Sequence, residues 1–86
     1  MDYPDTVVDV KVLAHLKLQV LFFDGTTGTV EFSPTMIKGV FQPLSDPTFF
    51  NQVSWSDGFV TWPGELDIAP DAMHRQLKTN GYWLIS

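Results

Sequence analysis

No cysteine occurs anywhere in the 86 residues, which excludes a disulfide framework, a thiolate nucleophile and a thiolate metal ligand. Basic residues are nearly as scarce. Five cations, Lys11, Lys17, Lys38, Arg75 and Lys78, stand against ten acids, and the formal net charge of -5 is opposite to what counterion release on nucleic acid requires. The cations are scattered, so no basic stripe forms and no direct nucleic-acid partner is expected. Long apolar runs are missing too: nothing approaches the roughly 20 residues of a membrane span. Met1-Asp2-Tyr3-Pro4-Asp5 has neither the basic start nor the apolar stretch of a signal peptide. The expectation is a cytoplasmic protein with no membrane partner. Gly25-x-x-Gly28 runs into a strand pattern, and no GxGxxG or GK[ST] is present, so there is no phosphate loop.

What the chain has is apolar and aromatic mass. Hydrophobic residues make up 44% and aromatics 14%, well outside the disordered regime. A chain this short buries only about 60 to 65% of its unfolded surface, so large side chains must carry its core. The sequence reads as one domain, 1–86, with 1–6 and 79–86 as loosely packed ends.

Val8, Val10 and Val12 alternate with Asp9 and Lys11, and Leu16, Leu18, Val20 and Phe22 alternate with Lys17 and Gln19. Both are the two-residue period of half-buried strands, joined by a turn near His15. Asp24-Gly25 through Gly28 supplies the next turn, and Thr29 to Phe32 a third strand. Pro34 to Lys38 fits one helical turn, followed by a connector anchored by Val40, Phe41 and Leu44. Asp46-Pro47 is a capping acid before a first-turn proline, opening a short helix that points Phe49 and Phe50 inward. Asp57-Gly58 marks a type I′ hairpin between Val53 to Trp55 and Val60 to Trp62. Pro70 opens a last helix to Lys78 with Met73 and Leu77 on one face, and Asn80-Gly81 stops it. The expected fold class is α+β: a two-layer domain with a mostly antiparallel sheet of about five strands and one or two short helices packed on it. The inward set is Val10, Val12, Leu18, Val20, Phe22, Val30, Phe32, Phe41, Leu44, Phe50, Trp62, Met73 and Leu77.

Candidate chemistry is thin. Asp71 and His74 are three apart on a helix and share a face, and Asp67 offers a third ligand from the preceding loop; the competing reading is a capping acid and a solvated histidine, and no metal is expected. No serine or threonine sits in a nucleophile setting beside a histidine and a carboxylate. Asp24, Asp46, Asp57 and Asp71 each have a turn or cap role. The most distinctive stretch runs from Trp62 to Asp71. There an indole, two prolines, a glycine and three acids make a candidate partner-binding loop of Trp62, Glu65, Asp67, Asp71 and His74. Against it stands the reading that Trp62 closes the core and Asp67 bonds loop backbone.

Three ordered motifs carry a family likeness: Leu18-x-Val20-x-Phe22-x-Asp24-Gly25, then Gly39-Val40-Phe41-x-x-Leu44-x-Asp46-Pro47-x-x-Phe50, then Trp62-Pro63 with Asp67-x-x-Pro70-Asp71. Together they resemble the bacterial domain of unknown function 2442 family, from about Val8 to Leu77. The resemblance implies a small α+β fold. It also implies a binding or regulatory role, since some relatives look like fusions to a helix-turn-helix module and others sit beside short proteins in arrangements like toxin–antitoxin pairs. No catalytic residue or cofactor comes with it. The reading is therefore a protein-interaction or regulatory module with a protein partner, leaning away from an enzyme. The alternative is a small-ligand sensor or enzyme with a site near Trp62 to His74. Leu21, Phe23 and the tail Tyr82 to Ile85 add apolar surface, expected either to be covered by the tail folding back over Leu21 and Phe23 or to pair two copies, so the chain is a monomer or a homodimer.

Overall fold

Alternation builds the first sheet. Val7–Ala14 (β1), Lys17–Phe22 (β2) and Thr27–Phe32 (β3) form an antiparallel meander. The computed structural model describes residues 3–64 and 66–86. Two register shifts in β1, one at Val7/Asp9 and one at Val12/Ala14, correct the simple alternation expected there. An extra residue at each bulge reverses which side chains face inward. Val7 and Val10 are therefore buried, Val8 is exposed and Val12 is only half-buried.

Gly28 belongs to β3 rather than to the turn before it, and packing explains why the residue is a glycine. A Cβ built on it would lie 2.5 Å from the Gly81 carbonyl oxygen and 3.0 Å from a Leu77 methyl. The end of the last helix rests directly on that backbone. This helix, Pro70–Asn80 (α2), buries Met73 and Leu77 and stops at Gly81, whose left-handed backbone lets its N–H bond Leu77 O at 2.8 Å. The chain then returns as Tyr82–Ile85 (β7), parallel to β3. A parallel neighbour needs a long crossover, and everything from Ser33 to Gly81 supplies it.

That crossover contains the second sheet. After two 3-10 segments, Pro34–Met36 and Gly39–Ser45, the Asp46 carboxylate caps a four-residue helix, Pro47–Phe50 (α1), by accepting from Thr48 N at 2.9 Å. Ser54–Ser56 (β4), Phe59–Trp62 (β5) and Leu66–Ile68 (β6) follow as an antiparallel sheet. Its first turn is the expected type I′, with Asp57 and Gly58 both at positive φ. The fold is α+β, and the described residues form seven strands in two sheets, ordered β1-β2-β3-β7 and β4-β5-β6, instead of about five strands in one. The stretch read as a loop beyond Trp62 became β6, because Leu66 and Ile68 find cross-strand partners in Trp62 and Val60.

The two sheets meet over Phe32, Phe50 and Trp62, whose ring centroids lie 5.8 to 5.9 Å apart. Trp62 is 2% exposed, and its Nε1–H donates to Phe50 O at 2.9 Å. Of the expected inward set, Val12 and Phe41 stop at half-burial, while Val7 and Val60 join the core. Val40 is corrected outright: it is 73% exposed, because the 3-10 turn directs only Phe41 and Leu44 toward the core. The tail does not cover Leu21 and Phe23, which stay exposed, since β3 separates β7 from β2. Among the described residues no helix is long and apolar enough to cross a membrane.

Candidate functional site

A concavity of about 880 Å³ lies where the N-terminal segment, the β4–β5 turn and the start of α2 converge. Backbone bonds hold the N-terminal wall against the β4–β5 turn and the end of β2. Thr6 N–H donates to Tyr3 O (2.9 Å), Val7 N–H to Gly58 O (3.1 Å) and Phe23 N–H to Thr6 O (2.8 Å), so residues 3–6 are tied to both sheets. The positive-φ Asp57-Gly58 turn needs Gly58 on steric grounds, and Gly58 packs against Thr6. Three aromatics, Tyr3, Trp55 and Phe59, line the cleft with three carboxylates, Asp5, Asp57 and Asp71. Trp55 is 44% exposed and Tyr3 58%. A second hollow of about 450 Å³ holds Thr61 and Asp67 and shares Asp57 and Phe59 with the first. Among the described residues, no lysine, arginine or histidine lines either one. The joined surface therefore offers apolar ring area beside unneutralised negative charge, a combination suited to a cationic group with an apolar neighbour.

The residues proposed from sequence are dispersed. Trp62 faces the core, so its indole offers no surface to a partner; its hydrogen bond to Phe50 O explains why it can be so deeply buried. Glu65 lies outside the described residues. Asp67 stands on β6 in the smaller hollow, and Asp71 at the first turn of α2 in the larger. His74 joins neither, because it turns to the β2–β3 turn.

There the Asp24 Oδ2 lies 3.0 Å from His74 Nε2 and 3.5 Å from Lys78 Nζ, while Oδ1 accepts from Thr26 N at 2.9 Å. The Thr26 backbone N–H and then the His74 bond hold the Asp24 carboxyl well below the usual carboxylate range. The edge of one ring meets the face of the other where His74 packs on Phe22, centroids 4.9 Å apart. A carboxylate orienting a histidine is one part of an acid–base arrangement, but among the described residues no hydroxyl nucleophile hydrogen-bonds this histidine. Its evident effect is to tie α2 to the first sheet. Among the described residues no group of three or more His, Asp or Glu is placed to hold a metal, and Trp62, Asp67 and His74 occupy three different surroundings.

Sequence reasoning missed Tyr3, Asp5, Trp55, Asp57 and Phe59. Asp57 and Gly58 were legible as a turn, but nothing local shows that the N-terminus and α2 close around it. A family model described as a protein of unknown function, DUF2442, matches residues 7–79, and the chain belongs to that family. No curated protein and no solved structure matches it.

Proposed function

We propose that this DUF2442 protein is an interaction domain, and that the cleft between the N-terminal segment, the β4–β5 turn and α2 receives a partner's lysine- or arginine-bearing segment. One observation carries the reading: Trp55, Phe59 and Tyr3 are exposed around three carboxylates, with no lysine, arginine or histidine among the described lining residues. Exposed aromatics are costly in water and are the residue types that dominate interface energetics. The carboxylates would select the sign of the partner's charge and speed its encounter. Asp67 and Asp71 enter as flanking acids, and Trp62 only as the core residue that fixes β5.

The reading is tested by titrating the protein with a short lysine- and leucine-containing peptide and with its glutamate-for-lysine counterpart, followed by amide chemical shifts. Expected are shifts at Trp55, Asp57, Phe59 and Asp71 with the basic peptide only, weakening as salt is raised. Trp55→Ala and Asp71→Asn should each weaken them. Binding indifferent to salt, or shifts confined to other surfaces, would overturn the proposal.

A further inference from the structure

The second surface is an edge. β7 and β1 lie at opposite margins of the four-stranded sheet, and β1 is bonded at Val7 to the β4–β5 turn, far from β7. Along the other margin, Thr29 N–H donates to Gly81 O at 3.1 Å and Ser33 N–H to Ile85 O at 2.8 Å. Gly81, Trp83 and Ile85 therefore direct their backbone groups to β3. Strand alternation turns the N–H and C=O of Tyr82 and Leu84 outward, to the free edge.

Natural edges are usually blunted by charge, proline or a bulge. Tyr82-Trp83-Leu84-Ile85 contains no charged residue and no proline, and its register with Thr29–Phe32 runs without a shift. We infer that β7 pairs antiparallel with β7 of a second copy about a two-fold axis at Trp83, joining two four-stranded sheets into one of eight strands.

Three features select a second copy over another extended chain. The pattern is self-complementary: with the axis at Trp83, Tyr82 lies opposite Leu84 of the second copy and the reverse, so all four outward groups on each side are bonded. The side chains match as well, because Tyr82 and Leu84 are both about half exposed on the outer face and would become aromatic–aliphatic cross-strand pairs. Charge points the same way. A chain of net charge -5 repels its copy over most of its surface, but β7 is neutral. The nearby Glu31 carboxylate is already met by the Tyr82 hydroxyl at 2.7 Å and by Lys17 Nζ at 3.9 Å. One strand pair is smaller than a standard interface of about 800 Å² per partner, so the dimer is weak and concentration-dependent.

Sedimentation equilibrium of the whole chain over a wide concentration range should show a mass rising from 9.7 kDa toward twice that value. Amide exchange at Tyr82 and Leu84 should slow with protein concentration while that at other exposed amides does not. Leu84→Pro removes an outward N–H without touching the ladder to β3, and Leu84→Lys places charge on the edge. Each should raise the dissociation constant about tenfold or more, and the lysine variant keeps the test open if the proline variant fails to fold. A chain that stays at 9.7 kDa throughout, a dimer unaffected by either folded variant, or Tyr82 and Leu84 amides indifferent to concentration would each overturn the inference.

Discussion

Trp55 and Trp62 sit on the same hairpin, and cross-strand pairing puts them on the same side of it. Trp55 lies opposite Val60, and Trp62 is two residues further along Val60's strand. Yet one is 44% exposed and the other 2%. Trp62 occupies the central strand of its sheet, under Phe32 and Phe50, with its N–H bonded. Trp55 occupies the edge strand, beside the cleft bordered by the N-terminal segment, the β4–β5 turn and the start of α2. Identical chemistry thus becomes core in one place and available surface in the other, and the difference is made by what packs over each strand.

The sharpest way to break this comparison is to remove the buried ring. Trp62→Ala should cost about 3 to 5 kcal/mol, since it opens a cavity between Phe32 and Phe50 and leaves Phe50 O with only the Val53 N–H as donor. A domain of this length has roughly 4 to 13 kcal/mol in total, so a urea titration should find the variant at or near unfolding. A loss below about 1 kcal/mol would show that the aromatic junction does not hold the sheets together.

Gly28→Ala tests the other packed junction. The new methyl meets backbone at Gly81 rather than a flexible side-chain end, so relief requires moving α2; a loss of about 1 to 3 kcal/mol is expected in the same titration. No loss would mean that α2 rides loosely on β3. Trp55→Ala should then change stability by no more than about 1 kcal/mol, with the loss appearing in peptide binding instead. A Trp55 variant as unstable as the Trp62 variant would erase the distinction between the two indoles.

The smallest effect concerns pH. The Asp24 carboxyl titrates lower in the folded chain than in the unfolded one, where about 4 is usual. Its stabilising contribution is therefore complete above about pH 4 and is lost as pH falls from there toward the folded value. Asp24→Asn should flatten the acid limb of a plot of stability against pH. An acid limb identical in the two proteins would show that the tie between the β2–β3 turn and His74 contributes nothing.

Much of the fold was legible because it is local. The type I′ turn at Asp57-Gly58, the Asp46 cap, the Asn80-Gly81 stop and the alternation of β2 and β3 each follow from a few adjacent residues and their backbone preferences. Strand β6 was hidden because Leu66-Asp67-Ile68 is too short to show a period, and it exists only because β5 is beside it. The candidate site was less legible still. Asp67 and Asp71 could be picked out as acids near a turn and a helix start, but Tyr3 and Asp5 gave no sign of lining a cleft with the Asp57-Gly58 turn, and His74 none of preferring Asp24, fifty residues away, to Asp71 one helical turn away.

The sequence by itself determined the family, the α+β class, the net charge of -5 and most of the core, because composition and periodicity fix which faces must leave water. Only the tertiary structure decided which tryptophan is buried, where the tail pairs and which acids and rings share a cleft. Those outcomes depend on strand order, on two bulges in β1 and on a crossover running from Ser33 to Gly81. These are contacts between distant residues, and their geometry is set by the packing of whole elements rather than by the preferences of neighbouring residues.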